Sequence, residues 1–396
     1  MTPYSDRPRK DQILLIAGII LIGLNLRPAL SGLGPLIPMI RDSTGLSNSM
    51  LGLLTTLPLI AFGILSTLTP LFTRRYGIEK TLSGAMLLLT TGIILRSLSF
   101  IPTLFLGTIL LGVAIAFGNV LLPALVKRDF NKRSGFMTSL YSGMMGVGAA
   151  LAAGISVPIA ENIIGSWKTS LGIWGVLSFL AFLVWYPQVK YSKPTSQKRS
   201  FKKAMRDLGS NVLAWKVALF LGLQSLAFYV ILAWLPDILI SKGFSSSEAG
   251  WYLSLSQVTG VAGSVLIPFI AAKRDDQRFL VWILVGLEAI SLIGLWLGGA
   301  CAISVWVSLI GFSLGGSFGL ALLFIVLRST DSETAAELSG MSQSIGYLLA
   351  AVGPIAIGAT FDITGSWDMA LFILFGTVFL KLYMGIGAGV AEAVEK

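Results

Sequence analysis

Arg27 stands inside "LIGLNLRPALSGLGPLIP" (Leu21 to Pro38), within a run that is otherwise apolar from Ile13 to Ile40. A guanidinium offers a planar fork of N–H donors, so the chemistry it suggests there is capture of a small anion with carboxylate-like oxygens. At ~1.5 Å per residue it lies roughly 20 Å from either end of the run, too deep to snorkel out. Pro28 follows directly; it lacks an N–H and crowds the carbonyl of Leu24, so a helix must loosen at the arginine. Gly32, Gly34, Pro35 and Pro38 prolong the interruption. The competing structural reading is that Arg27 pairs with a carbonyl or with Glu288 and only holds helices together. Three other ionisable residues fall in apolar runs: Arg96, Glu288 and Lys381. Arg96 and Lys381 lie toward run ends and are expected to snorkel to the interface. Glu288 is mid-run, a candidate for proton coupling or for a structural pair.

Those residues need elements to carry them. The 396-residue chain is 55% hydrophobic and 12% charged, with a mean hydropathy of +0.82, whereas soluble domains carry about 25% charged residues. It reads as an all-α integral membrane protein, because the ~10-residue alternation of barrel strands is missing. Spans of ~20 apolar residues fall at 12 to 40, 49 to 73, 81 to 100, 102 to 126, 135 to 160, 168 to 187, 212 to 240, 248 to 272, 279 to 298, 302 to 327, 338 to 361 and 368 to 389. "MTPYSDRPRKDQ" has no cleavage site of the signal-peptide kind and is expected to remain as a tail over 1–11.

The net charge of +10 is distributed unevenly. With the N-terminus inside, the inside loops hold about 21 Lys and Arg against 3 outside, so both termini are expected in the cytoplasm. That pattern orients a membrane protein and attracts anionic lipid; no nucleic-acid partner is expected. No histidine is present and Cys301 is the only cysteine, which excludes the usual metal sites, an intrachain disulfide and most acid–base devices. No G-x-x-x-x-G-K-[ST] occurs, so the chain holds no nucleotide-driven motor of that type. An enzyme is disfavoured and no cofactor is expected.

"QVKYSKPTSQKRSFKKAMRDLGSN" divides the chain into a bundle over 12–187, a basic linker over 188–211 and a second bundle over 212–396. Its "SFKKAMRDL" suits a short basic surface helix facing lipid headgroups. An offset near 200 aligns the halves: "LIPMIRDSTGLSNSMLG" with "WLPDILISKGFSSSEAG", "GSW" at 165 with "GSW" at 365, and "FGNVLLPALVKRD" with "FGLALLFIVLRSTD". Two six-helix repeats rocking about a site at their interface are the build of an alternating-access transporter.

This layout resembles the major facilitator superfamily over essentially the whole chain. "LRPALSGLGPLI", "GLLTTLPLIAF", "GNVLLPALVKRDF", "YVILAWLPDILIS" and "LSGMSQSIGYLLAAVGP" are similar to its bacterial cyanate and 2-nitroimidazole transporter branch. The superfamily's loop between helices 2 and 3 typically reads Gly-x-x-x-Asp-Arg-x-Gly-Arg. Here "PLFTRRYGIEK" keeps Arg75 and Gly77 but puts Pro70 at the glycine and Arg74 at the aspartate. Arg74, Arg75 and Gly77 are thus the expected gating loop, with Glu79 the only local acid to stand in. The glycine-proline motif of many antiporters on helix 5 is missing.

In that superfamily helices 1, 4, 7 and 10, flanked by 2, 5, 8 and 11, face the cavity, while 3, 6, 9 and 12 are peripheral. The resemblance therefore implies a pocket drawn from Asn25, Arg27, Asn119, Tyr141, Gln224, Phe228, Tyr229, Gln257, Gln343 and Tyr347, and it weakens Glu288 as a coupling group. Gln224 with Phe228, and Gln343 with Tyr347, are i,i+4 pairs sharing a helix face. Each amide also has a reading as interhelical glue, and each ring as packing. The glycine runs "SGMMGVGAALAAG" and "GFSLGGSFG" read as close helix contacts. The expectation is a monomeric secondary transporter in a bacterial cytoplasmic membrane, moving a small anionic or polar nitrogen-containing solute, probed against two rivals: proton-driven efflux of small toxic compounds such as nitroimidazoles, and a receptor that binds without moving its ligand.

Overall fold

Local sequence explains where each helix begins and stops. Asp331 accepts a hydrogen bond from the Thr334 N–H at 2.9 Å, and Ser245 with Glu248 forms a reciprocal cap. Gly77, at φ +82°, ends one helix and starts the next without a loop. A Cβ there would also run into Ser192 and the Lys193 backbone, so only glycine satisfies both demands. These signals correct the expected limits of two spans: the third begins at Ile78 rather than 81, and the eleventh at Ser332 rather than 338.

The computed structural model describes residues 7–46, 48–98, 100–163, 166–194, 201–297 and 302–394. Met1 to Asp6 of the expected tail, residues 195–200 of the linker, Gly165 of the first "GSW" and Cys301 lie outside that set. Among the described residues there is no strand, and twelve helices are long and apolar enough to cross a membrane. They are α1 (Arg9–Leu36), α2 (Met50–Tyr76), α3 (Ile78–Arg96), α4 (Ile101–Asp129), α5 (Asn131–Glu161), α6 (Trp167–Tyr191), α7 (Val212–Ser241), α8 (Glu248–Ala271), α9 (Arg278–Leu297), α10 (Ile303–Leu327), α11 (Ser332–Thr364) and α12 (Trp367–Ala388). A short helix over Phe201–Ser210 precedes α7. Its Ala204 and Leu208 are buried while Lys202, Lys203 and Arg206 are exposed, as an amphipathic surface helix requires.

The repeat is visible in the backbone. Gly45 after the first helix and Gly243 after α7 both turn left-handed, at φ +67° and +93°. Both described chain ends sit on one side, with the basic loops: Arg7 donates to Gln188 at 3.0 Å and to Asp129 at 3.2 Å, and the Val394 N–H donates to the Arg328 carbonyl at 2.7 Å. We call this side the basic end. The halves meet through α2 on α11 and α5 on α8.

Charge networks brace each half there. In the first, Glu79 takes Arg128 at 2.7 Å and Arg7 at 3.7 Å. At the repeat-related place in the second, the acid is replaced by Gln277, which accepts from Arg328. Burial pushes the Arg328 guanidinium down to about 10, so it stays charged at neutral pH, and it also donates to the Ala388 carbonyl at 2.8 Å.

Candidate solute-binding site

The break in α1 has the form its sequence demands. Regular helix ends at Asn25 and resumes at Pro28, leaving Arg27 at the junction with φ −117° and ψ −34°. The Arg27 carbonyl accepts from the Leu30 and Ser31 N–H groups, each at 3.0 Å. Gly148 on α5 lies so close that a Cβ would overlap the Leu24 carbonyl, the group Pro28 leaves without its helical donor. The short piece Pro28–Ser31 cannot bond the Ala29 carbonyl internally, and Arg96 on α3 supplies the missing donor through Nη1 at 2.7 Å. Arg96 is 1% exposed, so it does not snorkel; it braces the interrupted segment.

The Arg27 side chain points into a cavity of ≈ 70 Å³ between the halves. A single water needs about 10–15 Å³ by the same measure, so the space suits a small solute. Among the described residues its guanidinium meets no carboxylate. Instead the Phe228 ring on α7 and the Phe318 ring on α10 stand over its Cζ at 5.5 and 5.1 Å, within cation–π range. Gln224, Phe228, Tyr229 and Gln257 line the same cavity. The Gln224 amide donates to the Leu314 carbonyl at 3.0 Å and accepts from Ser225 at 3.2 Å, which fixes its orientation. Ser142 on α5 donates across to the Ser264 carbonyl on α8 at 2.9 Å, tying the halves beside the cavity.

The remaining candidates are not among the residues that line this cavity. Asn119 donates to the Tyr347 hydroxyl at 3.1 Å, and Tyr347 packs on Phe62 with ring centroids 4.6 Å apart. They form a contact between α4 and α11, and neither lines the cavity. Asn25 donates to Leu21 and Leu177 carbonyls at 2.8 and 3.3 Å, joining α1 to α6. Tyr141 is 1% exposed, its backbone pressed on Gly23. Gln343 is 2% exposed on α11. Phe318, Met145 and Ser256 line the cavity without having been singled out; the glycine run around Phe318 read only as packing, and nothing in spacing distinguishes its ring from a core one.

Two pairings correct the sequence reading. Lys381 does not snorkel: its Nζ meets the Glu288 Oε2 at 2.5 Å with both side chains 1% exposed. Glu288 is therefore taken, and it is not the partner of Arg27. At the basic end Arg74 meets Glu337 at 2.7 Å and Glu333 at 3.1 Å, joining α2 to α11. The acids that answer Arg74 come from the other half, while Glu79 serves Arg128. Arg75 is exposed and lies 5.3 Å from the Tyr76 ring centre.

Residues 13–354 match the family model described as Major Facilitator Superfamily. The chain is 42% identical to the "Uncharacterized transporter YycB" of Bacillus subtilis (strain 168), covering 98% of this chain and 96% of that one. It is 41% identical to the "2-nitroimidazole transporter" of Escherichia coli (strain K12), covering 98% and 97%. Among solved structures, the proton:xylose symporter XylE bound to 6-bromo-6-deoxy-D-glucose superposes with a TM-score of 0.77 at 13% identity, covering 96% of this chain and 97% of that one. That likeness speaks for the fold.

Proposed function

This chain belongs to the major facilitator superfamily, and from that premise we propose that it carries a small anionic or polar, nitrogen-containing solute by alternating access, coupled to protons. It is a multi-pass membrane transporter and not an enzyme. The observation that carries the substrate class is Arg27: a cation at a helix break, facing a cavity between the halves, with no acid beside it among the described residues. An unpaired charge at this depth is costly, and a solute bearing paired oxygens relieves that cost. Tyr229 and Gln257 add polar groups around it.

Proton coupling finds its support in Glu288. Its partner Lys381 also lies 5.9 Å from the Phe220 ring centre, one helical turn before Gln224 on α7. Protonating Glu288 would strand Lys381 against the helix that carries Gln224 and Phe228. The charge bias supports a basic end that faces the cytoplasm, and we take the chain as a bacterial carrier that works as a monomer. On that orientation the Arg74 contacts with Glu337 and Glu333 would close the carrier on its cytoplasmic side.

The resemblance to a protein named for 2-nitroimidazole favours a second reading, outward pumping of small nitro compounds, whose nitro group presents the same pair of oxygens as a carboxylate. Inside-out vesicles separate the two. Accumulation of a nitroimidazole that collapses with the pH gradient supports efflux, and accumulation of small anions in right-side-out vesicles supports import. A receptor that binds without moving its ligand shows no counterflow of labelled solute in proteoliposomes.

A further inference from the structure

We propose that Phe228 and Phe318 form a size filter that limits the solute to compact anions and planar paired-oxygen groups; this rests on the reading of Arg27 as the anion-binding group. The cavity has walls of two kinds. On the α8–α10 side they are backbone: a Cβ at Gly315 would overlap the Gly260 carbonyl, and one at Gly311 the Ser256 carbonyl. Helices packed backbone to backbone cannot recede to admit a larger solute without losing that contact. Toward α5, Gly146 touches the Val261 side chain, which leaves the inter-half contact equally tight.

The adjustable walls are side chains, and two of them are stiff rings. Phe228 from α7 and Phe318 from α10 both line the cavity beside Arg27, each within cation–π range of its Cζ. Phe318 is 9% exposed and cannot swing into solvent. Met145, the other large apolar lining residue on the α5 side, is unbranched and adapts to its neighbours. A group that reaches the guanidinium must pack against these rings, in a cavity of ≈ 70 Å³. Size is thus read by the rings and charge by the arginine.

The test uses the purified full chain and carboxylates of one charge and rising bulk: acetate, benzoate and 2-naphthoate, with affinities from calorimetry. The wild-type chain is expected to bind acetate and benzoate and to discriminate against 2-naphthoate. Phe318→Ala and Phe228→Ala should each raise the 2-naphthoate-to-acetate affinity ratio at least tenfold, and Phe318→Trp should weaken benzoate. Phe318→Leu gives a smaller change in the same direction and serves if the alanine variant does not fold. Ratios within twofold of wild type in the ring variants, with acetate still bound, overturn the filter. So does Met145→Ala if it shifts the ratio as far as the rings do. A wild-type chain that binds none of the three refutes the Arg27 reading itself, and the filter falls with it.

Discussion

Arg27 and Arg96 show how one break in a helix uses two arginines differently. Arg96 is spent on a carbonyl the break exposes, whereas Arg27 keeps its donors for the cavity. Arg27→Ala is expected to abolish transport in reconstituted vesicles while the protein still inserts, and Arg27→Lys to retain little, because a point charge cannot reproduce the fork. Normal transport by both variants removes Arg27 from the site. The Lys381–Glu288 pair makes a different prediction. Lys381→Met or Glu288→Gln alone leaves the other group buried without its partner, costing about 3–5 kcal/mol, whereas the double variant is close to neutral; thermal unfolding in detergent reads this directly. Transport by the double variant should lose its response to an imposed pH gradient, and full retention excludes Glu288 as the coupling group. Sequence disclosed the cost of each buried charge but not its partner. Glu288 and Lys381 are 93 positions apart, and no periodicity links α9 to α12.

At the scale of elements, the break in α1 was legible because proline chemistry is local, and so were the twelve spans. The latch between α2 and α11 was not. The loop sequence showed only that Arg74 replaces an expected acid; that Glu337 and Glu333 answer it from the other half depends on how the bundles pack. Arg74 is 5% and Glu337 0% exposed at the side chain, so the pair is screened from water and breaking it leaves a buried charge. Arg74→Glu and Glu337→Arg should each slow transport more than tenfold, and the exchange Arg74→Glu with Glu337→Arg should recover most of it, since contacting residues couple strongly in a double-mutant cycle. Additive losses in the double variant would show that the contact is incidental. The pocket was legible only in part for a related reason. Gln224, Phe228, Tyr229 and Gln257 share the cavity with Arg27, but Asn119 and Tyr347 spend their polar atoms on each other, a choice set by rotamers rather than by spacing.

Across the whole molecule the two halves are alike in backbone and unlike in charge. The repeat predicts paired left-handed glycines, and Gly45 and Gly243 supply them, yet the first half closes its basic end with Glu79 where the second uses Gln277. The cation of the cavity likewise comes from one half, with Ser225 at the repeat-related position of Arg27. Buried hydroxyls at the α2–α11 contact bear on the proposed movement of the halves. Ser66 on α2 and Ser339 and Ser342 on α11 are almost fully buried and, among the described residues, find no partner for their Oγ atoms, a state that ordinarily costs about 1–3 kcal/mol per group. Buried polar atoms without partners call for an explanation, and the proposed alternating access offers one: if α2 and α11 part at the basic end, these hydroxyls would meet water. Ser339→Cys is expected to resist a charged maleimide applied from the basic side in the resting protein and to react at least tenfold faster once Arg74→Ala unlocks the latch. Equal labelling rates in the two backgrounds would mean that α2 and α11 stay together through the cycle, and the closing contact would then have to be sought between α5 and α8, where Ser142 reaches the Ser264 carbonyl.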